Sequence, residues 1–306
     1  MIKEFAIQPQ VMATWRHFRE LRDDFGVGRG RLVSVFPWDW KEKVRSLAQA
    51  QNQDIKAAAI LSHLHAYLYR GEHCFIRTRM ATCKSNDEWL EKAEQSTAPS
   101  PFHAIISTTN PRKHAGVLVA GEFERTAEPF AVRTQLDVPR RPEALADCCG
   151  LLLEHCDEFK IIDPHFDSTN RAFTNTFEVI LEKLGARNRK LKRLELHVSC
   201  SDGFNKSNQQ ANYHRAFSRL LSKQNTMRVV FWRDLEQGFH ARYLLTELGG
   251  VKFDWGFDQG NSPQHLNEVV LLEHRRFEEV TARFTAPDAQ PTARCEVISL
   301  SSQPPS

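Results

Sequence analysis

The chain has 306 residues, with 41 basic and 38 acidic side chains and a formal net charge of +3. The hydrophobic fraction of 41% is typical of a globular protein. So small a net charge excludes bulk attraction to nucleic acid, and any such binding must come from a local patch. No apolar stretch approaches the ~18 residues that a membrane span needs, and MIKEFAIQPQ lacks the layout of a signal peptide. We therefore expect a cytoplasmic protein with no membrane partner.

The first 140 residues predict an α+β domain of unknown type that is rich in helices. Its periodic segments predict helices and short strands, in chain order helix 15–22, helix 55–68, strand 73–77, helix 87–94, strand 102–106 and strand 117–119. The Pro-rich stretch Val138–Pro142 ends this segment, and we place the domain boundary near residue 140.

In residues 141–285 strand and helix patterns alternate more regularly than in the first segment, and this alternation predicts an α/β sandwich. The expected elements are helix 142–155, strand 159–163, helix 170–184, strand 194–199, helix 209–221, strand 227–232, β-rich runs 239–246 and 251–256, strand 269–272 and helix 273–284. Gly249 and Gly250 between the two β-rich runs favour a hairpin. Residues 286–306 are rich in Ser and Pro near their end, and they are predicted to be a disordered tail.

Cysteine and histidine usage predicts a protein without metal or other cofactor. The seven cysteines are odd in number and include no CxxC pair, which is typical of reduced thiols. His63, His65 and His73 have no carboxylate or cysteine partners at metal-binding spacing.

One motif connects the second segment to a known family. His240–Glu247 reads H-x-R-x4-E, which resembles the H-x-K-x4-D (HKD) signature of the phospholipase D superfamily. Gly256–Asp258 stands where that family has a Gly-Ser-x-Asn turn, and Ile161–Asp167 is similar to the strand-to-loop segment that opens many such domains. The resemblance covers about residues 143–284.

The resemblance implies a phospholipase D-like α/β sandwich that cleaves or binds phosphodiesters without a metal. In the family a histidine attacks phosphorus and forms a phosphohistidine. Carried over, His240 is the nucleophile or phosphate contact, Arg242 the phosphate clamp and Glu247 the orienting acid. Side chains alternate along a strand, so we expect His240 and Arg242 to share one face. A single motif implies that a complete site needs a homodimer.

Three departures from the family pattern leave an alternative open. Arg242 replaces lysine, Glu247 replaces aspartate, and the serine and asparagine of the glycine turn are absent. The alternative is a catalytically inactive adaptor or phosphate-binding component of a larger bacterial complex, in anti-phage defence or a mobile element. Other readings are a structural role for His240 and, ranked last, a membrane-surface phosphoinositide binder.

A basic segment between a predicted helix and strand indicates nucleic acid as the partner. Residues 187–193 carry five cations and no acid. On binding a phosphate backbone, such a basic segment would release counterions. The same cations are also expected at a solvated helix C-terminus, where they interact favourably with the helix dipole. His165 follows a predicted strand, where α/β ligand sites gather, and it is a candidate second histidine of the site. The predicted binding residues are Arg187, Arg189, Lys190, Lys192, Arg193 and His165.

Overall fold

The protein was analysed as a computed structural model. It describes residues 1–51, 54–69, 75–76, 81–97, 100–186, 191–200, 203–221, 226–233, 240–262, 264–285 and 295–302. The chain divides into two compact units, Met1–Thr134 and Gln135–Ser306. No helix within these ranges is both long and apolar enough to cross a membrane.

The first unit is built on a five-stranded sheet whose neighbouring strands all run parallel. The strands are β1 (Lys3–Ile7), β2 (Arg31–Ser34), β3 (Phe75–Ile76), β4 (Ala104–Ser107) and β5 (Val117–Val119), in the order β3-β2-β1-β4-β5. Parallel neighbours require crossover connections, so this unit is α/β and the predicted α+β arrangement is wrong. Strands buried on both faces lack the two-residue alternation that marks a strand in sequence, which is why β1 and β2 were missed.

Three predicted helices of the first unit are confirmed. They are α2 (Trp15–Leu21), α4 (Asp54–Tyr69) and α5 (Asn86–Gln95), and the structure adds α1 (Pro9–Ala13) and α3 (Trp40–Gln51). The Ser85 hydroxyl caps α5 by accepting a hydrogen bond from the Glu88 N–H at 3.1 Å. Strands β4 and β5 confirm the predictions at 102–106 and 117–119. Of the strand expected at 73–77, only Phe75 and Ile76 lie within the described residues.

The second unit contains an eight-stranded mixed sheet. Its strands are β6 (Gln135–Pro139), β7 (Glu158–Ile162), β8 (Arg193–Ser199), β9 (Met227–Trp232), β10 (Arg242–Thr246), β11 (Gly249–Phe253), β12 (Leu266–Leu271) and β13 (Cys295–Leu300). They lie in the order β13-β9-β8-β7-β10-β11-β12-β6. Strands β7, β8 and β9 are parallel, and every other pairing in this sheet is antiparallel. The α/β class predicted for this half is confirmed.

The helices of the second unit also follow the sequence prediction closely. They are α6 (Pro142–Asp147), α7 (Gly150–His155), α8 (Arg171–Ala186), α9 (Lys206–Phe217) and α10 (His274–Arg283). The helix expected at 142–155 is divided in two at Cys148 and Cys149. The predicted hairpin is present as β10 and β11, but its turn is at Glu247 and Leu248, while Gly249 and Gly250 open β11.

Two edge strands of this sheet lie where the sequence predicted none. Strand β13 pairs antiparallel with β9 along its six residues, in the segment predicted to be a disordered tail. That prediction is wrong for residues 295–300, because Ser- and Pro-rich flanks hid a short apolar alternation whose Ile298 and Leu300 are buried. Strand β6 pairs with β12 and places the division between the units at residue 134, while the sequence suggested residue 140.

Candidate functional site

The site is formed at the carboxyl end of β7, next to the start of β10. Because β10 runs antiparallel to β7, with Tyr243 opposite Ile162, the preceding Arg242 lies beside the end of β7. Asp163 and His165 follow β7 directly. Ligand sites of α/β sheets gather at the carboxyl ends of the parallel strands.

A cavity of about 540 Å³ opens at this edge of the sheet. Its lining includes two arginines, two histidines, two aspartates and several amides. The lining residues are Arg140, Asp163, His165, Asn170, Ala172, Phe173, Arg242, Trp255, Asp258, Gln259, Gly260, Asn261 and His265. The residues come from the β7–α8 loop, the first turn of α8, the start of β10, the β11–β12 loop and the segment after β6, so tertiary folding assembles the cavity.

Asp163 ties two of these loops together. The carboxylate is 1% exposed; its Oδ1 accepts the His165 N–H at 3.0 Å and its Oδ2 accepts the Phe257 N–H at 3.3 Å. Burial raises the pKa of Asp163 above its ordinary value, while the two N–H donors and the charge of Arg242 oppose the rise. The role of Asp163 is therefore to position the loops that carry His165 and Gly256.

Arg242 is held in the cavity wall with part of its hydrogen-bonding capacity unused. Its Nη1 donates to the Asp254 carbonyl at 3.0 Å, and its Nε lies 4.0 Å from Asp163 Oδ1. The Nε is buried and has no hydrogen-bond partner in the described structure. A buried unpaired donor costs about 1–3 kcal/mol. The side chain as a whole is 22% exposed, and this exposed part lines the cavity.

Gly256 allows the close approach between Asp163 and Arg242. Its φ of +93° is in the region that favours glycine. A Cβ at this position would lie 2.8 Å from Asp163 Oδ2 and 3.4 Å from Arg242 Nε. The glycine aligned with the family's turn is thus required here by geometry.

Arg140 is the second guanidinium of the cavity. It forms an ion pair with Asp258, and its backbone N–H donates to the His265 carbonyl at 2.9 Å. The guanidinium carbon lies over the Trp255 ring, 5.6 Å from the ring centre. These contacts fix Arg140 before any ligand binds, which lowers the entropic cost of binding.

The structure does not bring His240 into the cavity together with Arg242. Strand β10 begins at Arg242, and His240 lies before it in a turn, exposed to solvent. The alternation of side chains applies only within a strand, so strand geometry does not place His240 and Arg242 on one face. In the described structure the cavity lining contains Arg242 and His165 but omits His240.

Glu247 lies at the opposite end of β10 from Arg242. A strand of five residues spans about 17 Å, which separates Glu247 from the cavity. Its carboxylate accepts the backbone N–H of Asp157 at 2.5 Å and of Glu158 at 2.8 Å. The predicted orienting acid thus holds the start of β7, and its assignment to the site is corrected.

The basic segment lies at the other edge of the sheet from the cavity, as far as it is described. Arg187, Arg189 and Lys190 lie outside the described residues. Lys192 pairs with Asp157 at 3.3 Å and Arg193 with Glu158 at 3.8 Å. These pairs lie where β7 and β8 begin, whereas the cavity lies where β7 ends. Lys192 and Arg193 therefore do not extend the cavity into one continuous surface.

Sequence reasoning missed several cavity residues for identifiable reasons. Arg140 belongs to a Pro-rich stretch that was taken as a domain boundary, although its neighbours are in strand β6. Trp255 precedes Gly256, the glycine of the recognised turn, and that adjacency was a usable signal. Asp258 occupies the unspecified position of that turn, where the family pattern assigns no role, and His265 belongs to no motif.

The described residues include no group of three or more His, Cys, Asp or Glu side chains that could hold a metal ion. No disulfide bond joins the six cysteines within the described ranges, which are Cys83, Cys148, Cys149, Cys156, Cys200 and Cys295. Cys74 lies outside the described residues.

Together the fold and the site define an α/β protein with an arginine-containing cavity at the carboxyl ends of the parallel strands of its second sheet. No protein-family profile and no curated protein matches the sequence. Among solved structures, the chain is similar to the archaeal chromatin protein TrmBL2, described as showing a novel mode of DNA binding, at 10% identity and a TM-score of 0.28. The match covers 57% of this chain and 57% of that one. So weak a likeness carries no argument about this chain.

Proposed function

We propose that this chain is a phospholipase D-like protein that binds phosphodiesters, with nucleic acid as its ligand, in the cavity around Arg242. The observation that carries the proposal is the Arg242 guanidinium, whose side chain is 22% exposed and lines a cavity that also contains Arg140, His165 and His265. Guanidinium groups match the geometry of phosphate oxygens, and charge-assisted hydrogen bonds to phosphate are strong.

The arrangement of the second sheet supports the phospholipase D-like interpretation. Parallel strands β7, β8 and β9 are followed along the chain by the β10–β11 hairpin in one mixed sheet of the α/β class that the resemblance implies. Arg242 opens the first strand of that hairpin, and the loop that resembles the family's opening segment supplies Asp163 and His165. The two motif segments therefore contribute to one cavity.

Binding without cleavage is the function that this geometry supports best. Cleavage through a phosphohistidine would require the imidazole of His240 to reach a phosphorus held by Arg242. His240 is exposed and outside the described cavity lining, and Glu247 is engaged at the far end of β10. Both observations favour the alternative of a phosphate-binding component of a larger complex.

Binding of labelled oligonucleotides to full-length protein tests the proposal. We expect Arg242→Ala to weaken binding about 10- to 100-fold, because a hydrogen bond to a charged group contributes about 1.5–3 kcal/mol. Arg242→Lys should retain part of the affinity, since the charge remains but the fork geometry is lost. The matched control is Arg275→Ala, which removes the same charge from a side chain that is 93% exposed on α10. Equal affinities of the two alanine variants would contradict the proposal.

Cleavage is measured separately, by following oligonucleotide length during incubation in EDTA. We expect no shortening with either wild-type protein or His240→Ala. Metal-independent cleavage that His240→Ala abolishes would establish a nuclease in place of a binding protein.

A further inference from the structure

Trp255 is an exposed aromatic side chain at the cavity that contains Arg242. Its side chain is 61% exposed, although an indole is among the largest apolar groups in proteins. The other large hydrophobic side chains that are exposed in the described ranges are Trp38, Ile55 and Leu266. None of these three contributes to the lining of this cavity.

The backbone of Trp255 is held in place by hydrogen bonds to the side chain of a buried asparagine. The Trp255 N–H donates to Asn267 Oδ1 at 3.1 Å, and Asn267 Nδ2 donates to the Gly256 carbonyl at 2.8 Å. Asn267 is fully buried. Arg140 lies over the indole, and its own ion pair with Asp258 holds it there. The aromatic surface is therefore preorganised next to Gly256, where a Cβ would lie 3.4 Å from Arg242 Nε.

We propose that Trp255 stacks on a nucleobase next to the phosphate that Arg242 binds, so that the ligand of this site is single-stranded nucleic acid. This inference rests on the proposed function and narrows its ligand. In a duplex both faces of a base are already stacked, whereas an unpaired base can place one face on an aromatic side chain. A phospholipid would supply the phosphate but no planar ring for the indole.

The stacking is tested by comparing ligands that share a phosphate backbone. Full-length wild-type protein should bind a single-stranded oligonucleotide more tightly than its duplex and more tightly than an abasic strand of the same length. Trp255→Ala should weaken binding of the base-bearing strand about 5- to 100-fold, the range expected for loss of one base–aromatic stack. It should leave abasic binding unchanged, and Trp255→Phe should keep most of the affinity. Trp38→Ala is the matched control, because it removes an equally exposed indole from the first unit.

The outcomes separate this inference from the proposed function. Suppose that Arg242→Ala weakens binding of the abasic strand but Trp255→Ala leaves binding of the base-bearing strand unchanged. The stacking inference is then overturned, and the proposal of phosphodiester binding stands. If Arg242→Ala has no effect on either ligand while Trp255→Ala weakens only the base-bearing strand, stacking is supported and the role of Arg242 fails. Equal affinity of wild-type protein for single strand and duplex would overturn the inference about the ligand. Circular dichroism of each variant establishes that it is folded.

Discussion

Arg242, Asp163 and Gly256 form a local unit in which each residue depends on the other two. Asp163 is buried, and the positive charge of the Arg242 guanidinium opposes part of the resulting rise in its pKa. The absence of a Cβ at Gly256 leaves room for both side chains. The carboxylate also fixes the loop of His165 through its backbone N–H. The chemistry of the site therefore depends on contacts between residues far apart in the sequence.

The contacts of Glu247 predict a structural effect without a binding effect. Glu247→Ala removes the acceptor of two backbone N–H groups at the start of β7, so we expect the free energy of unfolding to fall by about 1–2 kcal/mol. Oligonucleotide affinity should be unchanged, because the residue lies at the far end of β10. Urea denaturation and a binding titration measure the two quantities. Glu247→Gln keeps one acceptor oxygen, so its free energy of unfolding should lie between those of the wild type and Glu247→Ala. A folded Glu247→Ala protein that no longer binds would restore the role that the sequence assigned.

At the scale of elements, strands β7, β8 and β9 share a buried ionic network. Glu195 and His197 of β8 are fully buried, with Glu195 Oε2 3.2 Å from His197 Nε2 and 3.7 Å from Lys160 Nζ of β7. Trp232 Nε1 of β9 donates to His197 Nδ1 at 3.0 Å. Because Nδ1 accepts that hydrogen bond, the imidazole is neutral with its proton on Nε2, donating to Glu195.

This network predicts that the protein loses stability in mild acid. Burial lowers the pKa of His197 below its ordinary value of about 6.5, so the unfolded chain binds a proton that the folded chain excludes. The stability that the neutral imidazole allows is fully present above the unfolded pKa of about 6.5, and it is lost as the pH falls below that value through the lowered pKa of the folded state. Burial alone would raise the pKa of Glu195, but the hydrogen bond from His197 and the charges of Lys160 and Arg193 outweigh it. The pKa of Glu195 is therefore lowered, which also reduces stability as the pH falls, in a lower pH range.

The measurement is the free energy of unfolding between about pH 7.5 and pH 5.5 for wild type and His197→Gln. We expect the wild-type value to fall more steeply with acidification than that of the variant. His103, whose pKa is also lowered by burial, is present in both proteins, so the difference between the curves isolates His197. The exposed-residue control His240→Gln should follow the wild-type slope. Parallel curves for wild type and His197→Gln would show that His197 does not titrate on unfolding.

At the scale of the whole molecule, the division at residue 134 assigns strand β6 to the second unit. Strand β6 pairs with β12 from Gln135 to Pro139, and it delivers Arg140 to the cavity. A boundary at residue 140 would remove this strand and leave the edge of β12 unpaired. The position of the division therefore matters for both stability and binding.

Two fragments test this division. Residues 135–306 contain a complete sheet and the whole cavity, so we expect them to unfold cooperatively and to retain oligonucleotide binding. Residues 141–306 should be less stable by at least about 2 kcal/mol, because the hydrogen bonds of the β6–β12 pairing are lost, and they should bind more weakly without Arg140. Thermal denaturation and binding titrations compare the two. Equal stability of the fragments would show that β6 is dispensable for the second sheet.

The sequence by itself determined most helices and the central strands of the second unit. Segments 159–163, 194–199 and 227–232 match β7, β8 and β9 closely, because buried apolar runs bounded by turn residues are local signals. The prediction of His165 and Arg242 as site residues also rested on local order, and the structure lines one cavity with both.

Only the tertiary structure decided the rest. The parallel pairing of the first sheet, the strands at 135–139 and 295–300 and the cavity positions of Arg140 and Trp255 depend on partners distant in the chain. The separation of Glu247 from the cavity follows from the direction and length of one strand, which a motif spacing does not encode. Hydrophobic periodicity reports which residues become buried in an element, whereas strand pairing and loop convergence are set by packing between elements, and those contacts determine which side chains meet at the site.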